Sequence, residues 1–152
     1  MSFVPKKVLL VGPVLSNSGY GEHARCVLRS LINNITKFDI YILPTEWGNT
    51  STNNDDTVEN RFILDCINRT QNYKGEYDIS LQVALPNEWK ALAKVNIGFT
   101  AAVETDRCNP QWIQSCNQMD KVVVVSEHAG KSISNFNYPL QDEQGNTVGT
   151  LA

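Results

Sequence analysis

Short, almost wholly apolar runs recur along the chain, and each is followed by a stretch whose apolar residues have helical spacing. The runs "KKVLLVG" (6–12) and "DKVVVVS" (120–126) are typical of strands buried on both faces, and 120–126 is the clearest example. We expect further strands at 38–44, 77–85 and 94–102. This alternation implies crossovers between parallel strands, so the sequence predicts an α/β fold with a Rossmann-like, doubly wound, mostly parallel sheet.

The helical patterns fall between these strands. Asp56 or Thr57 is available to cap a helix over 58–69, and Asn109 with Pro110 marks the start of a helix over 110–118. Further helical segments are predicted from Gly21 onward, over 127–135, and as one or two turns over 87–93.

This pattern divides the chain into two segments of unequal size. Residues 1–135 form the predicted Rossmann-like domain, a size that can bury a real core in this chain of 152 residues. Residues 136–152 break the alternation and contain a turn candidate at 142–146 between extended pieces. We expect this short segment to lead toward a further domain that these residues do not contain.

Composition narrows the function classes. A net charge of −3 without a Lys/Arg cluster argues against general nucleic-acid binding. No apolar run approaches the roughly 18 residues of a membrane span, and the start of the chain lacks a signal-peptide pattern, so a cytoplasmic protein is expected. The four cysteines form no CxxC pair and the two histidines have no ligand spacing, so we expect reduced thiols and no metal site.

The stretch "GPVLSNSGYGEHARCVLRSL" (12–31) is the first candidate site. A glycine-rich turn between a strand and a helix lets backbone N–H groups approach an anion at the helix N-terminus. The spacing of Gly12, Gly19 and Gly21 departs from the dinucleotide fingerprint, and the P-loop pattern is absent. The glycines either permit a turn with positive φ or admit a ligand. His23 either faces the same crevice or is an ordinary surface histidine.

Two later positions are candidates of a different kind. Glu104 follows the fourth strand, where a carboxylate can bind sugar hydroxyls or act as a base, or can be a solvated loop residue. Ser126, Glu127 and His128 match a catalytic trio in residue type only, and Ser126 is the natural cap of the last helix. The G-x-S-x-G motif of many hydrolases is absent.

Several stretches together resemble the N-terminal half of GT-B-fold glycosyltransferases, in the group of retaining, nucleotide-sugar-dependent enzymes called glycosyltransferase group 1. The resemblance covers most of residues 6–135. Its most specific part is a strand, a Thr/Glu-containing turn, a Pro-x-Trp helix start and a second strand ending in serine. The matching stretches are "VLLVGPVLSNSGYGEHARCVLRSL", "YDISLQVALPNEW" and "NIGFTAAVETDRCNPQWIQSCNQMDKVVVVSEHAGKSI".

The resemblance implies an acceptor-binding half of an enzyme that transfers a sugar from a nucleotide diphosphate sugar to a hydroxyl acceptor. It places Gly19 and Gly21, with Ser18 and Tyr20, against the diphosphate and sugar of the donor. Glu104 and Thr105 are similar to residues at the cleft-facing end of the fourth strand, and Ser126 to the serine that closes the fifth. The nucleotide sugar is the donor substrate and no further cofactor is implied; the Asp-x-Asp signature of metal-dependent transferases is absent.

Two departures from the family pattern limit these expectations. The third strand is followed by Gln82–Pro86 rather than by the histidine or aspartate of many members, so no catalytic residue is carried over there. The donor-binding domain is also outside these residues, so we expect a fragment that is inactive alone, with acceptor choice set by loops such as 45–56.

Two other functions stay open on the residues alone. The first is a non-catalytic Rossmann-like module that binds carbohydrate or nucleotide. The second is a dinucleotide-dependent oxidoreductase, which the incomplete glycine fingerprint weakens. Asp39 lies too early in its strand to hold the ribose of a dinucleotide. Glu46, after the second strand, is the residue that remains for that role.

Overall fold

A computed structural model of the chain describes residues 4–102, 108–135 and 138–151. Its centre is a parallel sheet of five strands: β1 (Lys6–Gly12), β2 (Phe38–Pro44), β3 (Ile79–Val83), β4 (Val95–Thr100) and β5 (Lys121–Val124). Their order in the sheet is β2-β1-β3-β4-β5, which confirms the predicted Rossmann-like α/β fold. The order reverses at β1, because the chain runs out to β2 and returns past β1 to β3; doubly wound folds place ligands beside such a reversal.

Among the described residues, four α-helices alternate with these strands. Thr57, Asn109 and Ser126 accept hydrogen bonds from the first turns of the second, third and fourth helices, as their sequence positions predict. A separate hairpin follows, with Gly145 at φ 82° in its turn. The helices are α1 (Gly19–Ile32), α2 (Val58–Asn72), α3 (Pro110–Asn117) and α4 (Glu127–Ser134), and the hairpin strands are β6 (Tyr138–Gln141) and β7 (Thr147–Leu151).

The first face of the sheet, which carries Val8 and Leu10 of β1, holds the main apolar core. Leu28 of α1 and Ile63 of α2 pack against these strand residues and are fully buried. The apolar residues of α1 recur at helical spacing because this one stripe must cover the sheet. Burial of this stripe fixes the direction in which α1 leaves the carboxyl end of β1.

Helix α2 also protects the outer edge of the sheet. Thr70 accepts a hydrogen bond of 2.8 Å from the backbone N–H of Ile42, and the guanidinium of Arg69 donates to the carbonyl of Ile40. These groups belong to the side of β2 that has no neighbouring strand in the part of the chain that the structure describes. An open strand edge would otherwise invite pairing with another chain.

The second face of the sheet carries a buried polar cluster, and it explains why a single short turn forms where one or two helical turns were predicted over 87–93. The backbone N–H of Lys90 donates to Gln82 Oε1 at 3.0 Å, and that of Leu92 donates to Asn96 Oδ1 at 2.8 Å. Side chains of β3 and β4 thus accept hydrogen bonds from backbone N–H groups that would otherwise bond within a helix. A single 3-10 turn, Pro86–Glu88, is all that forms.

Strand β5 is less buried than its sequence predicts. Its valines are half-buried, and Val125, just past its end, is 57% exposed. The expectation of the clearest buried strand is wrong because β5 lies at an edge of the sheet and, within the described residues, pairs with β4 alone. An apolar run shows that a strand forms, but it does not give the strand's place in the sheet.

No helix within the described residues is long and apolar enough to cross a membrane.

Candidate functional site

The loops that follow β1 and β2 are joined to each other at the carboxyl edge of the sheet. The backbone N–H of Asn17 donates to Ser51 O at 2.9 Å, and that of Asn53 donates to Leu15 O at 2.6 Å. Between these bonds, Ser16 Oγ lies 2.6 Å from Thr50 Oγ1. The two loops therefore form one connected structure.

A buried arginine holds the first loop onto α1. Arg25 is 7% exposed, and its guanidinium donates to the carbonyls of Val14 and Ser16, each at 2.9 Å. Glu22 forms an ion pair with the same guanidinium at 3.0 Å. Such a buried charge is tolerable because it is fully paired. The sequence pattern assigned Arg25 no role, because nothing local shows that a helical arginine turns back to a loop.

Ser18 is the N-cap of α1, and the two amides that follow it remain open. Ser18 Oγ accepts a hydrogen bond of 3.0 Å from the N–H of Gly21. The N–H groups of Gly19 and Tyr20 have no partner within the described residues. Because the helix dipole places partial positive charge at this end, the open amides favour an anion.

Gly12, Gly19 and Gly21 are not needed for positive φ, and Gly21 is needed for space. Positive φ among the described glycines occurs at Gly48 and Gly145, so the alternative of a positive-φ turn at Gly12, Gly19 or Gly21 is wrong. A Cβ on Gly21 would lie 2.1 Å from the carbonyl oxygen of Ser16. A Cβ on Gly19 would meet nothing within 4 Å. Gly21 therefore permits close packing, while Gly19 leaves the helix terminus accessible.

Tyr20 connects the loops to the end of β4. Its ring stacks on Trp47, with ring centroids 4.0 Å apart and planes inclined by 19°. Its hydroxyl lies 3.1 Å from Thr100 Oγ1 and accepts a hydrogen bond from Ala101 N–H. Ala102 then adopts φ 58°, a strained conformation for alanine of the kind that concentrates at functional sites. Tyr20 thus reaches the edge where β4 ends.

His23 packs against the sheet. Its half-buried ring packs edge-to-face on Phe99, with centroids 6.1 Å apart. Desolvation by burial lowers the pKa of His23 below its ordinary value of 6.5, so the ring is neutral near pH 7. A neutral imidazole next to an aromatic ring stabilises packing here and offers no fixed positive charge to an anion.

Ser126 stands apart from the loop that holds Ser18. It caps α4 by accepting a hydrogen bond of 3.1 Å from the N–H of Ala129. Three strand spacings, about 14 Å in all, separate β5 from β1. Both serines therefore lie at one edge of the sheet without touching. Glu104 and Thr105, the other candidates, lie outside the described residues.

A cleft of about 710 Å³ opens beside the joined loops. Leu15, Ser16 and residues 44–52 line it, and Trp47 contributes an aromatic surface. In the sequence this stretch is a polar loop, and no local pattern indicates that Trp47 contacts Tyr20. Their contact forms because the fold places the loop after β2 against the first turn of α1.

The described residues contain no group of three or more His, Cys, Asp or Glu side chains placed to hold a metal ion. Comparison of the chain with protein-family models, curated proteins and solved structures found no match in any of the three.

We expect Gly21→Ala and Gly19→Ala to differ sharply in stability. The clash of the new methyl with the Ser16 carbonyl should lower the free energy of unfolding of the Gly21 variant by about 1–3 kcal/mol. Gly19→Ala should leave it unchanged or raise it by up to about 1 kcal/mol, because alanine favours a helix. Urea denaturation measures both. Equal losses in the two variants would contradict the packing described for Gly21.

Burial of His23 should make stability depend on pH. Its folded-state pKa lies below 6.5, so its contribution is fully present above that pH and is lost as the pH falls through the folded pKa. Denaturation at a series of pH values should show a smaller loss on acidification for His23→Gln than for the parent. The exposed His128→Gln is the matched control and should behave like the parent. Identical pH profiles for all three proteins would refute the assignment.

Proposed function

We propose that this chain is the acceptor-side domain of a retaining glycosyltransferase that moves a sugar from a nucleotide diphosphate sugar to a hydroxyl acceptor. One observation carries the proposal: the glycine-rich loop holds the open amides of Gly19 and Tyr20 at the carboxyl edge of the sheet, beside a cleft. The family resemblance of the stretches around this loop and around β4 and β5 supports the same function.

The open amides suit the leaving group of such a transfer. The bond between the sugar's anomeric carbon and the diphosphate oxygen breaks, and a new bond forms from that carbon to the acceptor oxygen, whose proton is released. Negative charge develops on the departing diphosphate. Amides fixed by the Ser18 cap need no reorganisation to stabilise that charge. Glu104 is the candidate base for the acceptor proton.

This half of the site is poor in positive charge. Arg25 is the one Lys or Arg among residues 12–25, and its guanidinium is directed to Val14 O, Ser16 O and Glu22. A diphosphate needs cationic partners beyond backbone amides for firm binding. The proposal therefore assigns the main diphosphate contacts to a second, donor-binding domain and expects no turnover by this chain alone.

Calorimetric titration and a release assay together test the function. We expect this chain alone to bind UDP-glucose and GDP-mannose with a Kd weaker than about 1 mM. The protein expressed from the full reading frame should release nucleoside diphosphate from one member of a nucleotide-sugar panel. Gly19→Ala should slow that release at least about tenfold, because the methyl obstructs the open amides.

Two outcomes would contradict the proposal. Micromolar binding of a nucleotide sugar by this chain without turnover would favour the non-catalytic binding module. A Gly19→Ala variant that releases nucleoside diphosphate at the parent rate would remove the loop from the reaction. Unfolding curves of the variant serve as the control for its fold.

A further inference from the structure

We propose that the cleft lined by residues 44–52 is a subsite for a neutral sugar unit, with Trp47 as its platform and Glu46 as an acceptor of sugar hydroxyl bonds. This inference narrows the proposed function, because it names a carbohydrate as the acceptor. The role of the bound sugar as the acceptor in a transfer rests on the proposed function. The binding site itself rests on the geometry and chemistry of the cleft.

The shape of the cleft suits a small ligand. Its volume of about 710 Å³ lies within the usual range of small-molecule sites, roughly 300–1,000 Å³. It opens where β1 and β2 end, and Ser16 forms part of its wall. A ligand there lies beside the loop that carries Gly19.

Trp47 gives the cleft an aromatic wall of fixed orientation. Tyr20 stacks on one face of the indole and is not part of the cleft lining, so the surface that Trp47 turns to the cleft is its other face or its edge. Sugar rings present C–H groups on one side, and these pack against aromatic surfaces. Because Tyr20 already holds the indole in place, a sugar that packs on it orders no further side chain.

Polar side chains in the lining are free to bind hydroxyls. Glu46, Asn49 and Thr52 make no side-chain hydrogen bond to any other residue that the structure describes. Carboxylate and amide groups offer the acceptors and donors that match the hydroxyl pairs of a pyranose. An aromatic wall with such groups around it is the combination that a sugar needs.

The charge of the lining selects against anions. Glu46 is its one charged residue, and the lining contains no Lys or Arg. A phosphate placed in the cleft would meet a carboxylate and no cation. A neutral polyhydroxyl ligand fits better than a nucleotide, although the ribose of a dinucleotide would also suit a carboxylate after the second strand.

Hydrogen bonds within the loop fix the cleft walls before any ligand binds. Thr50 Oγ1 donates to the carbonyl of Trp47 at 2.8 Å and lies 2.6 Å from Ser16 Oγ. Gly48 turns the loop with φ 52°, a conformation that favours glycine. A wall fixed in this way loses little conformational entropy on binding.

NMR titration of this chain tests the subsite. The probes are the methyl α- and β-pyranosides of glucose, galactose and mannose and trisaccharides of the same sugars. The readouts are the indole N–H signal of Trp47 and the backbone amide signals of Gly48 and Thr50 in the same lining, which remain in the Trp47→Ala variant. We expect at least one probe to shift these signals with a Kd below about 10 mM. Trp47→Ala should weaken binding at least about tenfold and Glu46→Gln about threefold or more, in line with lost packing and a lost charged hydrogen bond.

Two controls keep the result interpretable. Trp112→Ala removes a half-buried indole of α3 outside the cleft lining and should leave the affinity unchanged. Glu46 is exposed and has no side-chain hydrogen bond within the described residues, so Glu46→Gln tests the subsite even if Trp47→Ala loosens Tyr20. Unfolding curves establish that each variant is folded.

The outcomes separate this proposal from the proposed function. The subsite is overturned if no saccharide shifts the Trp47 signal. It is also overturned if Trp47→Ala and Trp112→Ala weaken saccharide binding equally. If adenosine or NAD binds in the cleft and no saccharide does, the cleft is a nucleotide site and the sugar subsite is refuted. Saccharide binding without nucleoside diphosphate release by the full reading frame refutes transfer and leaves the subsite standing.

Discussion

Ser16 is the residue on which the geometry of the candidate site depends. Its hydroxyl lies within hydrogen-bonding distance of Thr50 and Ser18, and its carbonyl accepts from the buried Arg25. The same carbonyl lies so close to Gly21 that no side chain fits between them. One small residue, 8% exposed, thereby joins the loop after β1, the loop after β2 and the first turn of α1. Loss of this junction should loosen the contact between the two loops.

The junction explains how polar loops become a defined site. Loop backbones at a sheet edge are ordinarily mobile because water satisfies their polar groups as well as protein does. Here many of these groups are bonded to the facing loop, and Tyr20 extends the connection to Thr100 at the end of β4. The open amides of Gly19 and Tyr20 and the cleft beside Trp47 are therefore held in one frame. A rigid frame of this kind is what binding and catalysis require.

Local patterns predicted the sheet, the helices and three N-caps, because alternation, apolar spacing and capping depend on neighbours in sequence. The pattern failed where distant residues decide the structure. Side chains of Gln82 and Asn96 draw the backbone of 87–93 away from a helix, and the outermost place of β5 leaves its valines half-buried. For the site, the sequence indicated the loop around Gly19. It gave no sign of Trp47, whose partner Tyr20 lies on another element.

Amide hydrogen exchange of this chain tests the joined loops most directly. Two inter-loop bonds are donated by the N–H groups of Asn17 and Asn53. The account predicts that these two amides exchange at least about a hundredfold more slowly than the amide of Gly48, which has no partner within the described residues, and that Ser16→Ala speeds both. Exchange of Asn17 and Asn53 at the rate of an unprotected loop amide would contradict the joined loops, and with them the site built on that frame.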